Sequence, residues 1–231
     1  MERNVQGFEV LGGGNAYGLD RQRVLRNTYW LLALSMVPTV AGAWLGVATG
    51  IVSGLSPLVS TLLFLGGAYG LMFAISANRN SKAGVFLLLG FTFFMGLMLS
   101  RLVGVVLHNY SNGASLVMTA FGGTAGVFFG MATLATVIKR DLSGLARFLM
   151  IGALVVFVAA IINVFMQSTA AMLAISTAVM AIFSLFVLVD VKRVIDGGET
   201  NYVIATLNIY LDLYNVFQAL LSLLGFAGSR E

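Results

Sequence analysis

Long apolar runs separated by short polar connections organise the chain. The runs cover residues 28–50, 57–77, 84–108, 115–138, 145–167, 170–189 and 203–226. Each is close to the ~20 residues that an α-helix needs to cross the hydrocarbon core of a bilayer. The connections are residues 51–56, 78–83, 109–114, 139–144, 168–169 and 190–202. This pattern predicts an all-α integral membrane protein with seven transmembrane helices and the lipid bilayer as its first partner. The division expected is a flexible N-terminal tail over 1–27, a seven-helix domain over 28–226 and a short tail over 227–231. The link at 168–169 is so short that the fifth and sixth spans must form a tight hairpin. No repeat relates the two halves, so an inverted-repeat transporter gains no support.

Composition sharpens this reading. Of 231 residues, 59% are hydrophobic and 10% charged, against about a quarter charged in a soluble domain. The first apolar run is too long for a signal-peptide core and is expected to stay as an anchor. The net charge of +4 matters less than its placement. Arg3, Arg21, Arg23 and Arg26 precede the first span. Arg79 and Lys82 lie in the second connection, Lys139, Arg140 and Arg147 at the fourth, and Lys192 and Arg193 at the sixth. The other side carries only Arg230. Cytoplasmic loops retain Lys and Arg, which places the N-terminus in the cytoplasm and the C-terminus on the opposite side of the membrane. These scattered charges build no continuous patch for nucleic acid.

Glycines repeat at helical spacing: Gly42, Gly46 and Gly50 in the first span, Gly66 and Gly70 in the second, Gly122, Gly126 and Gly130 in the fourth. Such stripes let helices approach closely, and packing within the bundle is the expectation, with a dimer face as the alternative. Pro38 is expected to kink the first helix.

Ionisable groups inside a span need a partner or water. Asp212 lies near the middle of the last run, with Asn208, Asn215 and Ser222 on the same helical face. That stripe must face the bundle interior or a wet cavity. Asp212 reads either as a functional carboxylate or as a group hydrogen-bonded to neighbouring helices. Asp190, at the end of the sixth span, is by position equally an interfacial charge beside Lys192 and Arg193. Arg101 is expected to snorkel outward. Enzyme signatures are missing: His108 is the single histidine, and the run Gly12–Gly14 lacks the Lys and Ser or Thr of a phosphate-binding loop. With no cysteine, thiolate sites are excluded. The chain is read as a non-enzyme without a resident cofactor.

Residues 122–130 (GGTAGVFFG), 139–143 (KRDLS) and 197–226 (GGETNYVIATLNIYLDLYNVFQALLSLLGF) resemble the Bax inhibitor-1 family of seven-helix membrane proteins. Together with residues 23–33 (RVLRNTYWLLA), they are most similar to its bacterial YccA-type branch. The resemblance implies six helices around a central C-terminal helix. It also implies that Asp190 and Asp212, the latter in the run IYLD, form a hydrogen-bonded pH sensor of a calcium or cation leak. Calcium is then the conducted or bound ion at this pair, with Asn208 and Asn215 supplying further oxygens.

Calcium-leak members pair an aspartate with an arginine on the second helix; here the nearest candidates for that basic latch are Arg79 and Lys82, with Asn78 near the equivalent place. The YccA-type resemblance implies an alternative role, as substrate and modulator of a membrane-anchored AAA protease of the FtsH type that grips the N-terminal tail. An ordinary flexible terminus is the competing reading of that tail.

Overall fold

A computed structural model describes residues 6–228 of the chain. Seven α-helices follow in order: α1 (Gln6–Thr49), α2 (Pro57–Ala77), α3 (Lys82–Asn109), α4 (Gly113–Val137), α5 (Ser143–Met166), α6 (Thr169–Ile195) and α7 (Tyr202–Gly228). Among the described residues there is no strand, and all seven helices are long and apolar enough to cross a membrane. The chain is thus a multi-pass helical membrane protein. Large apolar side chains such as Trp30, Phe73, Phe86 and Phe165 are exposed, the outward surface that a bilayer requires.

Two helices run further than the apolar pattern suggests. Helix α1 starts at Gln6 rather than at residue 28, so residues 6–27, expected to be irregular, are helical. Residues 1–5 and 229–231 of the expected tails lie outside the described residues. Helix α6 runs past residue 189 to Ile195, where Lys192 Nζ reaches Asp196 Oδ1 at 2.6 Å, one turn on. Asp190 therefore belongs to a helix and not to a connection.

Local chemistry sets the helix ends. Gly50, at φ +65°, closes α1, and Ser56 caps α2 ahead of Pro57 at its first turn. In the α5–α6 hairpin, Gln167 adopts φ 48°, Asn163 Oδ1 accepts from the Ser168 amide, and the Ser168 hydroxyl accepts from Ala171 N. The KRDLS motif starts α5: the Asp141 carboxylate accepts from the amide and hydroxyl of Ser143. The Ser143 side chain first, then its amide, hold the Asp141 carboxyl below the usual carboxylate range.

The GGETNY motif joins α6 to α7. Gly197, at φ +79°, turns the chain where a Cβ would collide with the Arg21 guanidinium. Asn201 Oδ1 then accepts from the amides of Val203 and Ile204, capping α7. Its Nδ2 donates to the Arg79 carbonyl and to Asn80 Oδ1 in the α2–α3 connection. The start of α7 is thereby gathered with the basic ends of α2, α3 and α6, and with Arg21 of α1, at one end of the bundle.

Helix α7 is the most deeply buried span, and it touches α1, α2, α3, α4 and α6. The expected ring of six is reduced to five, because α5 packs on α6 alone. Two tyrosines fasten α7 to its neighbours. Tyr210 Oη is 3.0 Å from Thr39 Oγ1 and 3.4 Å from the Thr92 carbonyl, and Tyr214 Oη is 3.3 Å from the Met95 carbonyl.

The glycine stripes divide into two kinds. Gly42 and Gly46 of α1 meet α3 so closely that a Cβ at Gly42 would strike the Phe93 carbonyl, and one at Gly96 of α3 the Thr39 carbonyl. By contrast, Cβ atoms at Gly66, Gly70, Gly122, Gly126 and Gly130 would meet open space. The α2 and α4 stripes thus make no close helix contact, contrary to the expectation of internal packing. Small residues permit an approach without producing one.

Candidate functional site

Helices α6 and α7 are antiparallel neighbours joined by the short GGETNY turn, and this pairing places Asp190 opposite Asp212. The two carboxyl groups are close enough for each to feel the other. Asp190 is largely buried, its side chain 15% exposed, and Arg193 Nη1 approaches Asp190 Oδ1 to 4.0 Å from one turn along the same helix. Glu199, in the turn, is the other charged group that Asp190 senses. Asp212 is buried more deeply still, and its Oδ2 has no protein hydrogen-bond partner. One oxygen of the pair is therefore buried without a protein donor among the described residues.

The remaining candidates are distributed unevenly around this pair. Asn208 is half-buried, one turn from Asp212 toward the basic end, and its side chain makes no hydrogen bond among the described residues. Asn215, one turn the other way, donates from Nδ2 to the Leu211 carbonyl of its own helix. Arg79 and Lys82 are exposed, and neither forms an ion pair with Asp190 or Asp212. Arg79 contributes its backbone carbonyl to Asn201, while its side chain stays in solvent. A cation beside Asp190 is Arg193, from α6 itself. Arg101 is exposed, with Nη1 3.5 Å from Ser60 Oγ, and His108 is bonded to the Gly104 carbonyl of its own helix.

Beyond Asn215, a cavity of about 270 Å³ opens between α3, α6 and α7. Ser176 from α6 and Asn215, Gln218 and Ser222 from α7 form its polar wall; Leu102 and Val179 contribute apolar surface. Gln218 and Ser176 are additions to the polar face read from sequence. Gln218 stands three residues beyond Asn215, so helical spacing offered that signal; Ser176 gave none. On the opposite side of α7, α1 and α4 meet through the edge-to-face rings of Tyr29 and Phe128, 5.7 Å between centroids, and an apolar cleft of about 690 Å³ lies between the two helices with Tyr210 and Tyr214 on its floor.

The comparisons with known proteins agree with this architecture. The family described as "Inhibitor of apoptosis-promoting Bax1" matches residues 21–229. The chain belongs to the Bax inhibitor-1 family. Among similar proteins, "Modulator of FtsH protease YccA" of Escherichia coli K12 is 38% identical, covering 92% of this chain and 94% of the relative. An "Uncharacterized membrane protein" of Vibrio cholerae is 37% identical over 92% of this chain and 93% of its own length. A protein of Neisseria meningitidis serogroup A, also described as uncharacterized, is 36% identical over 90% and 93%. Within this Bax inhibitor-1 chain the motifs have distinct local tasks: KRDLS starts α5, GGETNY caps α7, and the IYLD run carries both Tyr210 and Asp212.

Proposed function

We propose that this chain is a pH-sensitive cation leak in an inner membrane, with calcium as the candidate cargo and Asp190 and Asp212 as its sensor. The observation that supports this reading is the apposition of two carboxyl groups across the α6–α7 contact, with Asp212 Oδ2 buried and unpartnered. Two carboxyls facing each other in a low dielectric cannot both ionise cheaply, so they hold one proton between them. Loss of that proton leaves two negative charges that repel, which loosens α6 from α7, or that draw a cation into the gap between them.

Calcium takes six to eight oxygen ligands. Among the described residues no cluster of three or more acidic or histidine side chains forms. Two carboxylates, aided by Asn208 and Asn215, suit transient passage better than a resident ion. The test is calcium entry into proteoliposomes as a function of pH. The native chain should show a pH-dependent rate, and Asp212→Asn and Asp190→Asn should each flatten the profile. An unchanged profile in both variants overturns the sensor.

A second reading is favoured by the name of the Escherichia coli relative, a modulator of FtsH protease. Here the N-terminal segment, in the cytoplasm by the distribution of Lys and Arg, is the handle by which a membrane-anchored AAA protease engages the chain. Deleting residues 2–18 should lengthen its half-life in cells containing the protease and leave it unchanged in cells without it. An unaltered half-life in the first case contradicts this role. The two readings use different parts of the molecule.

A further inference from the structure

We infer that the cavity between α3, α6 and α7 is a water-filled access vestibule, through which hydrated cations and protons reach Asp212 from the face opposite the basic loops. This extends the sensor reading by giving the pair a route to one side of the membrane. Three observations carry it. First, the polar wall lies in the half of the bundle remote from the GGETNY turn: Ser176 is near the start of α6, and Gln218 and Ser222 approach the end of α7. Secondly, the hydroxyls of Ser176 and Ser222 make no hydrogen bond to protein among the described residues, although Ser176 is buried. Polar groups at membrane depth are tolerated where protein or water satisfies them, and the cavity has room for several waters at ~10–15 Å³ of probe volume each. Thirdly, Asn215 and Ser222 share the helical face of Asp212, about 4.5 and 15 Å further along the axis.

The path therefore descends from the Ser222 end, past Gln218 and Asn215, to the carboxyl oxygen that no protein group occupies. Gln218 is held in the wall by its bond to Tyr214 Oη at 3.3 Å. Its amide and the two hydroxyls offer both donors and acceptors, which suits water and a hydrated cation better than a bare one. The cavity lining ends at Asn215, one helical turn from Asp212, whose Oδ2 is buried, so this last turn is the step that hydration has to bridge.

The chain has no cysteine, so single-cysteine variants report access directly. Ser176→Cys and Ser222→Cys change little in volume, and Val158→Cys, on an exposed face of α5, is a lipid-facing control. The probe is a membrane-impermeant, positively charged methanethiosulfonate, applied to sealed vesicles of each orientation and read by mass shift. Full reaction after denaturation verifies that every thiol is present. The vestibule requires both serine variants to react from the face opposite the basic loops, at least about tenfold faster than Val158→Cys, since only a hydrated thiol ionises readily. Reaction no faster than the control, or reaction only from the basic face, overturns it. Labelling and calcium entry fail separately. Labelling as expected with an unaltered pH profile in both Asp190→Asn and Asp212→Asn keeps the vestibule and removes the sensor; absent labelling with a flattened profile in both does the reverse.

Discussion

Replacing Tyr210 by Phe removes one oxygen from the middle of the bundle. That oxygen links α7 to Thr39 of α1 and to the carbonyl of Thr92 on α3. Hydrogen bonds between membrane helices are worth about 0.6 kcal/mol on average and up to about 1.7. Tyr210→Phe should therefore lower thermal stability in detergent by about 0.5–1.5 kcal/mol, while calcium entry keeps its pH dependence; a loss of the pH profile would make Tyr210 part of the sensor. At Asn201 two tasks can be separated. Asn201→Ala removes both the α7 cap and the bridge to the α2–α3 connection, and should cost about 1–2 kcal/mol. Asn201→Asp keeps the capping oxygen and loses only the bridge, so it should cost less. Equal losses in both variants would show that the bridge, not the cap, carries the stability.

Between helices, the same residue type gives opposite expectations at two positions. At Gly96 any side chain meets the Thr39 backbone, and Gly96→Val should destabilise by at least the 1–3 kcal/mol typical of overpacking. At Gly126 a Cβ meets nothing, so Gly126→Ala should leave the melting temperature unchanged or raise it; a clear fall would place a partner on the α4 stripe. Spacing alone showed both stripes and could not tell them apart, since whether a small residue is close-packed depends on the facing helix. The seven spans were legible because apolar length is a property of each segment by itself. The shared face of Asn208, Asp212, Asn215 and Ser222 was legible because helical periodicity is local. The continuation of α6 through Lys192 and Arg193 was hidden by their charge, which ends an apolar run without ending a helix. The role of Arg79 was hidden too, because its contribution to Asn201 is a backbone carbonyl that side-chain chemistry cannot reveal.

At the scale of the molecule, the bundle is polarised. One end collects most of the basic residues and the Asn201 bridge, the two aspartates lie between that end and the middle, and the far half contains the polar cavity. Cytoplasmic retention of Lys and Arg predicts that Ser81→Cys reacts with an impermeant thiol reagent from inside the cell and Ser111→Cys from outside; the reverse would invert the vestibule as well. In this arrangement the Asp190–Asp212 pair stands between the two faces, and everything proposed about gating depends on its holding one proton jointly. Infrared difference spectroscopy of the reconstituted protein, titrated through the pH range of calcium entry, observes that proton directly. A protonated-carboxyl band that disappears on raising the pH, and is lost in both Asp190→Asn and Asp212→Asn, is the predicted result. A band that survives in either single variant, or none in the native chain, would show that the two carboxyls ionise independently and contradict the account.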